Sequence, residues 1–558
     1  MLKDESNEAI RLALDLLEAA HFIRRSTVEG DYEFRHDQIR DVVYASIPAD
    51  VRQRLHGTLA DWLEQTEVAA TGTDIASLAQ HFEAAGNNDK AVAYAEIAAA
   101  RALQVGAFRE VDAFLSICFS HESRQPTLSK AQRLRAVRWR VQLAEAHYCR
   151  GDIHAQGVAV RRALTLAGEA TPRSSVSVAI RLAASAIQLL LQQLFPPTSW
   201  PTRANISRSW EREMARCHGQ AAMVDYFELR FLESMRHLID AVVHAERTGT
   251  TTELAIASSQ VGCGFGFLGH KRTCEYFMRK AERAAIALGD PAIHSHVCYL
   301  DALWQVGQCH WQEVDYRLKQ SQELSLQAGD QLRWSNAQVI RFWSLFYRGD
   351  WSALEQTAQV LLSRAQSSGN IQQEIWALRC KSLCALHADR PREAIEILKL
   401  ITSAMRGSAD LAAYVSSKGS LALALSRVGS NDESLQAADE TLRLLREMHR
   451  PTSHSILVGI SGACEVLLRG RETGLSREYD QWTDWEAQAL HELKRYSQTF
   501  PVGKPQYGLW KGVSYWLEGQ RDQALRTWNQ ALSVAKQLSL RQDEAMIAAE
   551  IRRRQDRL

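Results

Sequence analysis

The chain has 558 residues, and its 66 Lys plus Arg are balanced by 65 Asp plus Glu, which leaves no long-range field to draw it to nucleic acid or an acidic membrane. With only 11 Pro and 30 Gly in a background of Ala, Leu, Arg, Glu and Gln, the composition points to a nearly all-helical protein built as several domains or as one extended repeat array. Ten cysteines at irregular spacing, with no CxxC, read as reduced and mostly buried thiols of a cytoplasmic protein.

The N-terminus, MLKDESNEAIRLAL, carries acids early and lacks a basic region followed by an apolar core, so no secretory signal is expected. A helix is predicted from Asn7 to Ala20, followed by a two-strand hairpin of FIRRS and YEFRH around the turn VEGD. A helix from Asp37 and another through VRQRLHGTLADWLEQ come next. Helix plus hairpin is the closing half of a winged helix. The stretch 176–195, VSVAIRLAASAIQLLLQQLF, has membrane-spanning length, but Arg181, Gln188, Gln192 and Gln193 interrupt it, so a buried helix of a soluble array is expected.

From Leu268 onward one junction returns every 40 residues: LGHKRTCEYF at Leu268, QCHWQEVDYR at Gln308, RGDWSALEQT at Arg348, ADRPREAIEI at Ala388 and VGSNDESLQA at Val428. A second marker keeps step with it, in ALGD ending at Asp290, QAGD at Asp330 and SSGN at Asn370. Each of these is a helix-ending glycine followed by a polar helix starter. The unit is therefore helix, tight turn, helix, linker. That periodicity also reassigns residues 264–269, GFGFLG, a literal G-x-G-x-x-G. The segment before it is helical in spacing and not a strand, Gly269 takes the turn position of Gly349 and Gly429, and Asp290 recurs as Asp330.

The clearest unit is residues 507–535. Around the turn Gly519 it places Gly512 seven before, Tyr515 four before, Ala524 five after, Trp528 nine after and Ala531 twelve after. This pattern resembles the tetratricopeptide repeat (TPR), in which small residues let antiparallel helices approach and bulky ones fill the space beside the contact. The same count from Gly86 gives Ala79, Phe82, Ala91 and Ala98, and from Gly269 it makes Gly262 a packing glycine. Repeat character runs over residues 74 to 550. The expected organisation is a partial winged helix in 1–70, TPR-like helices in 74–200, regular repeats in 201–450, and C-terminal repeats with a capping helix in 451–558. The run Arg552-Arg553-Arg554 is expected to complement the dipole of a final helix.

The string YEFRHDQIRDVVYASIPADVRQRLHGTLADWLE resembles the segment that joins the ATPase module to the helical-repeat tail in bacterial STAND-type signalling ATPases. Such tails occur in multidomain class III nucleotidyl cyclases, some Ser/Thr kinases and AfsR- or MalT-like regulators. The resemblance implies that the element Phe34–His36 and the helix after it clamp a nucleotide module against the repeats. No G-x-x-x-x-G-K-[ST] is present, so the ATPase itself is expected elsewhere, with the chain a fragment of a larger protein or a stand-alone descendant of such a tail.

No catalytic constellation emerges, and neither a cofactor nor a metal is expected. His294, His296 and Cys298 lie roughly 16 Å along a helix from Cys309 and His310, while Cys380 and Cys384 are one turn apart without further ligands. Binding is the expected role. Residues three, six, ten and thirteen before the turns at 309, 349 and 389 should face the concave side. They include His296, Tyr299, Leu303, Asn336, Val339, Trp343, Phe346, Trp376, Arg379 and Leu383. Of these, His296, Tyr299, Asn336, Trp343, Trp376 and Arg379 are the candidate partner-binding set. The expected function is a non-catalytic interaction or sensor scaffold, the regulatory tail of a STAND-type ATPase. Its partner is a protein or peptide, such as an adjacent ATPase, cyclase or kinase module, or a small-molecule inducer, and no nucleic acid or membrane is expected. The alternatives are a fragment of an ATP-binding nucleotidyl cyclase or kinase, and the tail of an AfsR- or MalT-like transcriptional regulator.

Overall fold

The structure is a computed structural model that describes residues 7–26, 32–65, 75–124, 127–169, 174–195, 205–405, 410–448, 451 and 453–555. Among these residues there are 26 α-helices and one two-stranded antiparallel sheet, an all-α TPR-like solenoid with a small N-terminal hairpin. The chain forms two compact units, Met1–Ser129 and Lys130–Leu558.

The first unit opens with α1 (Asn7–Ala19), β1 (Ile23–Arg25), β2 (Tyr32–Phe34), α2 (Asp37–Ser46) and α3 (Ala49–Gln65). Ile23 pairs with Phe34 and Arg25 with Tyr32, the hairpin expected from FIRRS and YEFRH; the turn VEGD lies outside the described residues. Then come α4 (Ile75–Ala84), α5 (Asn88–Val105) and α6 (Phe108–Glu122). Gly86 turns α4 into α5 at φ +76°, and Ala79, Phe82, Ala91 and Ala98 are all buried between them, at the positions counted from the repeat.

The second unit begins with α7 (Lys130–Arg150), α8 (Ile153–Leu166) and α9 (Ser175–Leu194). Six hairpins follow: α10 (Asn205–Phe227) with α11 (Phe231–Glu246), α12 (Thr252–Phe267) with α13 (Lys271–Leu288), α14 (Pro291–Gln308) with α15 (Trp311–Gln327), α16 (Gln331–Arg348) with α17 (Trp351–Ser368), α18 (Ile371–His387) with α19 (Pro391–Ala404), and α20 (Leu411–Arg427) with α21 (Asn431–Glu447). The unit closes with α22 (Leu457–Thr473), α23 (Trp482–Thr499), α24 (Lys504–Leu517), α25 (Arg521–Gln537) and α26 (Arg541–Gln555).

Turn chemistry sets the 40-residue period. Residues 229, 269, 309, 349, 389 and 429 all have positive φ, although three of them are Leu229, Cys309 and Asp389 instead of glycine. The linkers end on a matching series of N-caps. Asp290, Asp330, Asn370 and Asp410 each accept a backbone N–H from the first turn of α14, α16, α18 and α20. Within a hairpin the two helices differ. On α15 the buried residues are Val314, Leu318, Ser321 and Ser325, a single stripe at helical spacing, whereas α14 is buried on nearly every face. The first helix of each hairpin is therefore interior.

Two expectations are corrected. Helix α9, read as a buried helix of the array, is largely exposed. It packs against α11 through Val178, Ser185, Leu189 and Gln192, while Val176, Ile180, Ile187, Leu190 and Leu194 face outward. The reason is that only one stripe of it finds a neighbour: Leu189 joins an apolar cluster with Met235, Leu238 and Val242 of α11, and the Ser185 hydroxyl donates to Asp240 at 2.5 Å. By length and composition alone this helix suffices to cross a bilayer. The C-terminal arginines do more than complement a dipole. Arg554 is 2% exposed and pairs with Glu550 and Glu472 at 2.8 Å each, while Arg553 pairs with Glu472 at 2.8 Å and Arg469 with Glu550 at 2.7 Å, tying α26 to α22.

Candidate functional site

The superhelix of the second unit coils tightly enough for distant repeats to touch. Asn370 Nδ2, before α18, donates to the carbonyl of Cys149, in the last turn of α7, at 2.7 Å. Trp311 Nε1 donates to Leu538 O at 2.7 Å, and both Tyr347 and Tyr496 donate to His454 O at 2.8 Å. A Cβ on Gly307 would strike the Phe500 ring. Coiling of this kind turns the concave face inward around a cavity of about 150 Å³.

The interior helices supply the cavity wall: Tyr226 and Phe227 from α10, Phe267 from α12, Tyr299 and Leu303 from α14, Trp343 from α16, Trp376 and Arg379 from α18, and Asp410 before α20. Tyr148 of α7 and His454, between α21 and α22, complete it. Of the six candidate residues, Tyr299, Trp343, Trp376 and Arg379 thus meet at one cavity. His296 and Asn336 lie behind them, 6% and 5% exposed. His296 is in close contact with Arg333 through Nδ1, and Asn336 accepts from Gln373 Nε2 at 3.2 Å. The set does not line an open groove, because Trp343 is 3% and Arg379 6% exposed.

Charge is placed unevenly in this wall. Asp410 caps α20 and accepts from Ala413 N at 3.0 Å, Gln372 Nε2 at 2.5 Å and Trp376 Nε1 at 2.9 Å, so its carboxylate is held by three donors. Arg379 has no such provision. Its guanidinium sits 5.6 Å from the centroid of the Trp343 ring, and Nη2 is buried with no hydrogen-bond partner. It takes part in none of the ion pairs among the described residues, and the acid acting on its charge is Asp410. Burial pulls its pKa down, with Asp410 opposing from a distance. His454 is also buried, both ring nitrogens lack partners, and burial followed by the nearby Arg379 charge pushes it down to about 3, so it is neutral. Tyr148 is pushed up to about 12 by burial.

Asp410 was legible as the fourth member of the N-cap series, although Ala409 stands directly before it where the others have Gly. Tyr148 and His454 reach the cavity from outside the regular repeats, and no local pattern announces them.

The other motifs resolve as packing. Gly264 and Gly266 lie inside α12, where a Cβ on Gly264 would meet Met235 Sδ at 2.8 Å and one on Gly266 would enter the Trp304 indole; Gly269 is the turn at φ +81°. No phosphate-cradling loop is formed by GFGFLG. A Cβ on Gly262 would lie 3.3 Å from Cys274 O and from Met278 N. Gly349, Gly429 and Gly519 are turns of positive φ, and Ala524, Trp528 and Ala531 are buried. Cys298 contacts Gln320 midway along α14 and His310 contacts Gln305 at its C-terminal end, and Cys380 and Cys384 are buried free thiols.

One polar cluster was not anticipated. His218, His237 and Asp240 bring a ligand atom each within 4.8 Å of one another, the single such group among the described residues. His218 Nδ1 and His237 Nδ1 share a hydrogen bond of 2.7 Å. Arg236 lies 2.6 Å from His237 Nε2 and 2.9 Å from Asp240 Oδ2. The guanidinium already occupies the place of a cation here, which argues against a metal site.

No protein-family model matches the chain, and no curated protein matches it. Among solved structures it is similar to a Rap protein complexed with competence and sporulation factor, at 11% identity and a TM-score of 0.39, covering 73% of this chain and 99% of that one. It is also similar to yeast Tom70, at 11% identity and a TM-score of 0.32, covering 86% of this chain and 96% of that one. At these values neither likeness carries an argument about function.

Proposed function

We propose that the chain is a non-catalytic sensor and interaction scaffold whose interior cavity receives a ligand and whose coiled repeats report its presence to an attached or partner protein. The observation that carries this reading is the convergence of Tyr299, Trp343, Trp376 and Arg379, from three successive hairpins, on one aromatic cavity. Pockets with an apolar aromatic wall and a few placed polar groups are the usual form of a binding site. A ligand touching α14, α16, α18 and α20 at once would resist any change in their stacking, and so would bias the pitch of the superhelix.

The finer reading is the regulatory tail of a STAND-type signalling ATPase. It is supported by the helix, hairpin and two helices of residues 7–65, which occupy the sequence that resembles the joining segment of that family. On this reading the effector is a nucleotide-binding module, and a cytoplasmic location follows.

Hydrogen–deuterium exchange on the full chain, with and without the low-mass fraction of a cell extract, tests the proposal. Protection is expected in Tyr299–Leu303, Val339–Trp343, Trp376–Arg379 and the segments beginning at Asp410 and Ser453. Protection confined to outer helices such as α15 and α17, or none at all, would contradict it.

A further inference from the structure

The charge at Arg379 identifies what the cavity is built to hold, and the inference rests on the sensor reading above. A buried cation without a partner is strongly destabilising, and this one is 6% exposed, lines the cavity and has an unpartnered Nη2. His454 offers a second unsatisfied polar edge on the same wall. Neither demand is met by the nearby acids. Asp410 is engaged by three donors, and Asp225, also at the cavity, pairs with Arg230. These two acids would repel a multiply charged anion, so a single negative charge fits best.

We propose that the cavity binds a small organic monocarboxylate, its carboxylate set against the charge of the Arg379 guanidinium and its apolar body lying among Phe267, Tyr299, Leu303 and Trp343. Guanidinium suits a carboxylate because its planar fork of donors matches the two oxygens, and such charge-assisted bonds are about twice as strong as neutral ones. The cavity sets the size. Roughly 150 Å³ is the volume at which an engineered apolar cavity in another protein accepts benzene, so this one, also about 150 Å³, takes a body of about one ring and has no room for several peptide residues.

Calorimetric titration of the 558-residue chain with phenylacetate, its neutral isostere phenylacetamide and the cation phenethylamine tests the assignment. Phenylacetate should bind at least tenfold more tightly than phenylacetamide, and phenethylamine should not bind. In Arg379→Met the preference for carboxylate should vanish while weak binding of the amide persists. Should the variant fail to fold by circular dichroism, the comparison of the three probes on wild type still decides. Equal binding of acid and amide would overturn the carboxylate assignment and leave the cavity as a ligand site. No binding of any probe would also overturn it, and the exchange experiment would then show separately whether the sensor reading survives.

Discussion

Replacing Gly419 by alanine tests the packing of the solenoid where α20 crosses α22 backbone to backbone. A Cβ built on Gly419, in α20, would stand 2.5 Å from Gly459 Cα and 2.6 Å from its carbonyl carbon in α22, and closer still to the carbonyl oxygen. The obstacle is backbone, so no rotamer change relieves it. A normal contact needs about 3.5 Å, and the helices must therefore part by roughly 1 Å, which forfeits a quarter to a half of each van der Waals well across the interface. With some tens of atom pairs at ~0.1–0.2 kcal/mol each, the loss is about 2–3 kcal/mol. The better helix propensity of alanine returns about 1 kcal/mol. The net expectation is a destabilisation of about 1–2 kcal/mol, read as a lower urea midpoint by far-UV circular dichroism. A wild-type midpoint would show that α20 and α22 do not cross through Gly419, Gly459 and Gly462.

Two further predictions concern packing and pH. Gly262→Leu and Gly512→Leu should each cost about 1–3 kcal/mol or more by overpacking, since a Cβ on Gly512 already lies 2.6 Å from Trp528 Cδ1. Gly289→Ala, at φ +66° with open space around it, should cost only about 1 kcal/mol, and equal urea midpoints for all three variants would refute the repeat register. Burial alone would raise the Glu550 carboxyl, but hydrogen bonds from Arg469, Arg553 and Arg554 outweigh it and hold it down to about 2, from an ordinary 4.5. A depressed acid contributes stability above its ordinary pKa and loses it as pH falls to the depressed value. Glu550→Gln should accordingly cost up to about 3 kcal/mol at neutral pH and flatten the loss of stability between pH 4.5 and 2. An unchanged acid limb would contradict the network.

The fold was largely written in the sequence because its determinants are local. Turn glycines, polar N-caps and small packing residues recur at fixed offsets, and each acts within one hairpin. Even so, Leu229, Cys309 and Asp389 adopt the same left-handed turn as the glycines, which residue type alone conceals. The interior was half legible. Counting back from the turns found Tyr299, Trp343, Trp376 and Arg379, because the inward face of a hairpin is a matter of helical phase. That these residues meet at a cavity instead of lining a groove depends on superhelical pitch. Pitch is set by contacts between segments far apart in sequence, such as Asn370 with Cys149 and Tyr347 with His454. Helix α9 was misread for a related reason: its hydrophobicity is on the page, but that a single stripe of it meets a neighbour depends on α11, whose Asp240 lies 55 residues on from Ser185.

The central claim is that the second unit keeps a charge buried and unpaired for the sake of a ligand, and the stability of the empty protein tests it most directly. Wild type and Arg379→Met, both unfolded and refolded to shed any bound small molecule, would be compared by urea denaturation. Methionine fills the arginine's volume without its charge, so the variant should be more stable, by about 1–4 kcal/mol on the precedent of buried charges replaced by apolar side chains. A variant less stable by about 3–5 kcal/mol, the loss expected when one member of a buried ion pair is removed, would show that Arg379 is a structural partner and that the cavity holds no charge in reserve.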